Sequence, residues 1–345
     1  MIEAAINFPN IDPSALTIPA IFGFGPFHLR WYALAYIAGL VLGWRWMVWL
    51  INRERLWAPA KPSMTAGQTD DFLFYATLGV ILGGRLGYVL FYKTDMIWRN
   101  PLEIFQIWQG GMSFHGGLIG VTLAALWFAS KPRHDPQLYV QLLKKTALPQ
   151  APEKGKDGFV EFPRIGWVKK NEAEKAQKDA TTSVSLLGLG DLAAAAAPVG
   201  LFFGRIANFI NGELWGRPTD APWGVVFCNE TLLRLNGGYC PAGPEPRHPS
   251  QLYEAALEGL VLFAIINVAS LRFGSLRRPG LNVGLFLVCY GVFRFVLEFV
   301  RNPDEHMPEA LKGSITMGML LCIPMLLAGA WLILRALAAP KPAAA

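Results

Sequence analysis

The chain has 345 residues, of which 53% are hydrophobic and only 16% are charged. Soluble globular domains carry about 25% charged residues, so this balance, with a mean hydropathy of +0.32, excludes an ordinary water-soluble domain. The formal net charge of +6 does not point to nucleic acid, because the Lys and Arg residues sit between apolar runs, where membrane topology explains them.

A helix needs about 20 apolar residues to cross a bilayer. Runs over 32–51, 72–92, 114–130, 186–203, 252–271, 281–300 and 314–337 predict seven spans and an all-α polytopic membrane fold. The third run is short. The fourth contains Gly188, Gly190 and Pro198, which transmembrane helices tolerate because neighbours satisfy the freed backbone groups. No internal repeat is visible, and no short apolar segment ends in a small-residue cleavage site. There is no C-x-x-C pair and no His/Cys cluster with zinc spacing. Residues 1–337 read as one transmembrane domain. Within it, the polar stretch 131–185 is expected to be a cytoplasmic insertion with partial helix at 169–180 and loose ends. The tail 338–345 is low in complexity and expected to be disordered.

Basic residues set the orientation. Arg53, Arg55 and Lys61 follow the first span, and Arg272, Arg277 and Arg278 follow the fifth. Lys and Arg also outnumber Asp and Glu in 131–185. These three connections are assigned to the cytoplasm, which puts the N-terminus outside and the C-terminus inside.

Charges inside spans are costly and each needs a reason. Arg45, Arg85, Asp191, Arg205, Arg294 and Glu298 are the residues in question. Arg45 lies in the inner third of its span and can snorkel to the surface. Asp191 lies near the start of its helix, where an acid favours the N-terminus. The predicted directions put Tyr32, Arg85, His115, Arg205, Arg294 and Glu298 at a similar depth on the outer side, which implies a polar cavity facing outward. Arg205 is expected just past the end of the fourth span. Arg294 and Glu298 are spaced i,i+4 and are equally compatible with a structural ion pair.

Four further segments carry the polar residues. They are GGMSFHGGLIG at 110–120, GRIANFINGELWGR at 204–217, RHPSQLYE at 247–254 and CYGVFRFVLEFVR at 289–301. With RWYALAY at 30–36 and GGRLGYVLFY at 83–92, they resemble the bacterial prolipoprotein diacylglyceryl transferases. The GRxxNFINGELWG run matches that family's signature without a gap, and the resemblance spans the chain apart from 131–185 and the tail.

The resemblance implies an enzyme of the bacterial inner membrane with its active site facing the periplasm. It would take phosphatidylglycerol and a prolipoprotein whose lipobox cysteine follows the signal peptide. It would join the diacylglyceryl group to that thiol as a thioether and release glycerol 1-phosphate. The family's phosphatidylglycerol-binding arginine falls on Arg205, its essential histidine on His115 and its second arginine on Arg294. The motif acids fall on Glu213 and Glu298, and Tyr32, Asn208 and Gly216 match further positions. No metal or organic cofactor is called for.

The residue types suit this chemistry. The thiolate is the nucleophile, and negative charge grows on the departing phosphate as the C–O bond breaks. Arg stays charged and grips phosphate oxygens with two parallel hydrogen bonds. Glu298 is expected to orient Arg294, and Glu213 to orient Arg205 or Arg217. His115 is either the base that takes the thiol proton or a hydrogen-bonding group for the lipid head. Two other readings explain less. An anionic-solute transporter would also use intramembrane arginines, but repeat halves and paired broken helices are not visible. A phospholipid-binding scaffold accounts for Arg205 but not for the outer His and Glu.

Two cysteines stand apart from the resemblance. Cys228 and Cys240 lie in the 217–247 connection, predicted to be outside, where an oxidising compartment favours a disulfide. Gly237, Gly238, Pro241, Gly243 and Pro244 supply the turns that bring them together. Cys289 and Cys322 lie in apolar runs and read as packing residues.

Overall fold

The structure, a computed structural model, describes residues 6–20, 26–107, 110–150, 152, 158–302 and 316–339. Seven apolar helices organise these residues. They are α1 (Trp31–Ile51), α2 (Ala66–Tyr92), α3 (Phe114–Ala129), α4 (Leu186–Ile210), α5 (Ser250–Phe273), α6 (Leu281–Leu297) and α7 (Met317–Ala338). Five are long and apolar enough to cross a membrane, as a polytopic membrane protein requires; α3 has 16 residues and α6 has 17.

The helical expectation holds, with short strand pairs added outside the apolar helices. Four two-stranded ladders occur among the described residues: Ile6–Asn7 with Val225–Val226, Ser14–Ile18 with Phe27–Arg30, Arg133–His134 with Thr181–Thr182, and Phe159–Phe162 with Gly166–Lys169. All lie in the polar connections, where backbone groups that leave a helix must find partners.

Helix boundaries also move from their predicted places. Helix α2 starts before 72 because Thr65 and Gln68 form a capping box, with side chain to backbone distances of 3.1 and 3.0 Å. Helix α4 runs past 203 to Ile210, so Arg205 lies inside it and not beyond its end. The hydropathy falls there, but Arg205 and Asn208 find polar partners within the protein and the helix continues. Helix α5 is π-helical over Ala255–Val261.

The chain forms two compact units, one of residues 1–47, 55–60 and 190–345, the other of 48–54 and 61–189. In the second unit, α2 and α3 pack along their lengths through glycines. A Cβ on Gly116 would stand 2.3 Å from the Gly83 carbonyl oxygen, and one on Gly83 would stand 2.4 Å from that of Gly116. The glycines around His115 therefore serve close backbone approach, the small-residue packing of membrane helices.

The 131–185 stretch also lies in the second unit and is more ordered than expected. The Lys170–Asp179 helix is present, together with a helix over Pro136–Thr146 and the 159–169 hairpin. Leu143, Val168, Ala173 and Ala176 form a small core of their own. Its apolar residues come from separate short elements, so no single window shows strong periodicity. Residues 340–345 of the predicted tail lie outside the described residues.

In the first unit, α6 and α7 cross where a Cβ on Gly284 would meet the Gly329 carbonyl oxygen at 2.9 Å. Asp191 is structural, though not at its own helix start. Its carboxylate accepts from the backbone N–H of Gly280 (2.7 Å) and Val283 (3.0 Å), which caps α6. Arg45 is exposed, with its guanidinium 5.9 Å from the Trp44 ring centroid. Cys289 and Cys322 are free thiols on α6 and α7. A polar head gathers Phe8, Val225, Phe227, Leu232 and Ala242 into a core against Phe209 and Trp215.

Cys228 and Cys240 are joined by a disulfide across a separation of 12 residues, in agreement with the pairing the sequence predicts. Closing a loop of that length contributes about 2–3 kcal/mol by the chain-entropy estimate. Replacing both cysteines by Ser should lower the thermal midpoint of the purified protein and leave the helices inserted. Alkylation without reductant should label neither cysteine in the wild type, and labelling of both would contradict the bond.

Candidate active site

Arg205 sits near the C-terminal end of α4 and reaches two carboxylates of α5. Its Nε is 2.7 Å from Glu254 Oε2 and its Nη2 is 3.3 Å from Glu258 Oε2. Arg294, in the last turn of α6, places Nη2 2.6 Å from Glu298 Oε1 and Nη1 3.8 Å from Glu254 Oε1. Arg301 follows α6 and adds Nη1 2.5 Å from Glu254 Oε1 and Nε 3.5 Å from Glu298 Oε1.

Three arginines and three glutamates thus form one network among the described residues. The acids lie inside it: Glu254 is 1% exposed, Glu258 0% and Glu298 4%. The arginine side chains stay partly open, at 18% for Arg205 and 16% for Arg294. Among the described residues, Nη1 of Arg205 has no ion pair or hydrogen bond. The pairing of Arg294 with Glu298 is as expected from their spacing, but it is one edge of a larger network.

The acid partner of Arg205 differs from the expectation. Glu213 does not pair with Arg205 or Arg217. Its Oε1 accepts from Asn208 Nδ2 at 2.8 Å and Asn211 Nδ2 at 3.3 Å, while Arg217 Nε donates to the Arg301 carbonyl at 2.8 Å. The turn that leaves α4 explains this. Gly212 and Leu214 both adopt left-handed backbone, at φ 64° and 57°, and a non-glycine residue there is uncommon. Ser250 and Gln251 hold the turn by donating to the Leu214 and Glu213 carbonyls, at 2.9 and 2.5 Å. The turn folds the Glu213 carboxylate back onto the amides of α4.

Glu213 and Asn211 line a cleft of about 480 Å³ together with Tyr32, Ala33, His28 and Arg30. The Tyr32 and Tyr36 rings, one turn apart on α1, lie 5.0 Å from each other. Gly216 lies where three backbone segments meet. It bridges to Arg301, donates to the His248 carbonyl at 2.9 Å, and has the Val300 carbonyl 2.4 Å from where a Cβ would stand.

The second unit holds the other two residues expected at this depth. His115 is exposed in the first turn of α3, whose N-cap Ser113 accepts from Gly116 N–H at 3.2 Å. Arg85 is 5% exposed and does not stand free for a ligand. It donates to the carbonyls of Ile104 (2.8 Å), Gly110 (2.6 Å), Gly111 (3.1 Å) and Glu103. Its place in the predicted outer cavity is therefore corrected: it holds the backbone at residues 103, 104, 110 and 111.

Glu254, Glu258 and Arg301 complete the network and were not among the charges singled out from the sequence. Glu254 and Glu258 both fall within the predicted 252–271 span, so two acids four residues apart in an apolar run were the available signal.

Comparison with known proteins matches the chain to a family. The family model described as prolipoprotein diacylglyceryl transferase matches residues 19–147 and 176–335. Three relatives carry the name phosphatidylglycerol–prolipoprotein diacylglyceryl transferase. One from Caulobacter sp. (strain K31) is 47% identical over 341 residues, 97% of this chain and 96% of its own. One from Phenylobacterium zucineum (strain HLK1) is 48% identical, covering 98% of this chain and 96% of its own. One from Rhodopseudomonas palustris (strain ATCC BAA-98 / CGA009) is 45% identical, covering 94% and 90%. With matches this extensive, the chain belongs to the prolipoprotein diacylglyceryl transferase family and is a diacylglyceryl transferase of lipoprotein biosynthesis.

Proposed function

We propose that the chain moves the sn-1,2-diacylglyceryl group of phosphatidylglycerol onto the lipobox cysteine of a prolipoprotein. A C–S thioether bond forms, the C–O bond to phosphate breaks, and glycerol 1-phosphate leaves with the electron pair. One observation carries this reading. Arg205 and Arg294 are each clamped by buried carboxylates, yet 18% and 16% of their side chains stay exposed. Fixed cations facing an open side suit a phosphodiester whose charge grows during the reaction. Nη1 of Arg205, without an ion pair or hydrogen bond among the described residues, would bind it.

The other roles are assigned from the chemistry of the residues. Glu298 orients Arg294 at 2.6 Å. Tyr32 and Glu213 share the cleft, where they would contact the glycerol head group, with Asn208 holding Glu213 and Gly216 keeping the adjoining backbone close. The thiol proton is assigned to His115 on the chemistry of imidazole, which accepts a proton near neutral pH. Residues 1–337 then act as one catalytic domain. In this reading all seven apolar helices cross the inner membrane, the site faces the periplasm, the N-terminus is periplasmic and the C-terminus cytoplasmic. The short α3 and α6 are each supported along their length, by α2 and α7. The Cys228–Cys240 disulfide suits an oxidising compartment.

Transfer of labelled lipid from phosphatidylglycerol vesicles to a lipobox peptide tests this. Arg205→Ala and Arg294→Ala should each abolish it in inserted protein. Arg205→Lys should lose most of it, since a point charge cannot replace a planar fork; near-normal rates in Arg205→Lys would contradict the assigned geometry.

His115→Gln tests the base. A free thiol ionises near pH 8.5, so activity lost in His115→Gln should partly return as pH rises above that value. A variant with the wild-type pH profile would exclude His115 from proton transfer.

A further inference from the structure

We propose that Gly318 is a positioning residue for this reaction: the space left by its missing side chain is the seat of the Glu298 carboxylate, which in turn fixes Arg294. The inference rests on the reading of Arg294 as a phosphate-binding group.

Glu298 ends α6, and Gly318 lies in the first turn of α7. A Cβ at position 318 would stand 2.5 Å from Glu298 Oε1, 2.6 Å from Cδ and 3.1 Å from Cγ. The nearest obstacles are thus all atoms of one carboxylate-bearing side chain. That same Oε1 is 2.6 Å from Arg294 Nη2 and 3.5 Å from Arg301 Nε. The carboxylate cannot make way without lengthening both ion pairs. Moving α7 away instead would open the close α6–α7 contact at Gly284 and Gly329.

Conformation does not explain the glycine. Position 318 is helical and outside the left-handed region. Helical backbone at this position accepts any L residue, so nothing in the conformation requires a glycine. Space for the carboxylate does explain it. The start of α7 is also a favourable place for an anion, since the first N–H groups of a helix carry partial positive charge. Thr316 caps that turn by accepting from Met319 N–H at 3.2 Å.

The test uses full-length protein in phosphatidylglycerol vesicles. It compares Gly318→Ala, Glu298→Asp, Glu298→Ala and the Gly318→Ala/Glu298→Asp pair. Gly318→Ala should lower kcat/KM on the order of tenfold or more, mainly through KM for the lipid. The shorter Asp draws the carboxylate back from position 318, so the paired variant should be more active than Gly318→Ala alone. A clash of the new methyl with any other neighbour would not be relieved by shortening this acid, and a loss through packing alone would not fall mainly on KM for the lipid. Wild-type kinetics in Gly318→Ala, or a loss that Glu298→Asp does not relieve, overturns the inference. So does a Gly318→Ala protein that fails to insert both alone and with Glu298→Asp. Full activity in Glu298→Ala would instead overturn the reading of the site on which the inference rests.

Discussion

Glu254 is the point on which the site turns. One carboxylate, 1% exposed, faces the guanidinium groups of Arg205, Arg294 and Arg301, which come from α4, α6 and the segment after α6. Burying such a cluster costs desolvation, and well-packed apolar residues often stabilise a protein as much or more. Stability is therefore a weak explanation for its presence. Removing one partner is another matter: it leaves uncompensated buried charge, at about 3–5 kcal/mol. The network holds three cations in a fixed array, which under the proposed function would be in place before the lipid arrives.

The helices are shaped to serve it. Glu254 is followed at once by the π-helical turn 255–261, which contains Glu258. Such turns interrupt α-helices at functional sites with some frequency. Here the two acids on either side of that change both reach Arg205, one at Nε and one at Nη2. The guanidinium is held at two edges, so its plane is fixed as well as its position. Glycines at Gly216 and Gly318 bring backbone and carboxylate close without steric conflict, and the strained turn at Gly212–Leu214 carries Glu213 back to α4.

Much of this was legible in the sequence, and the gaps have physical causes. Apolar runs located all seven helices, because the bilayer requirement acts on length and composition. Capping at Thr65 and ion pairing at Arg205 moved the ends, since hydropathy does not register a polar residue that finds its partner within the protein. Arg85 and Arg205 look alike in the sequence, each following a glycine near the outer end of a predicted span. One is spent on four backbone carbonyls and the other on two carboxylates; tertiary contacts alone distinguish them. Glu213 was paired with the wrong residues because the turn after α4 reverses its direction. Glu254 was read as part of a motif without a role, because its partners lie on other helices.

The most direct test of the account is an experimental structure with phosphatidylglycerol bound. The phosphate should lie within hydrogen-bonding distance of Arg205 and Arg294, with both guanidinium groups still held by Glu254. A phosphate bound away from both arginines, or a Glu254 carboxylate that releases them when the lipid binds, would contradict it.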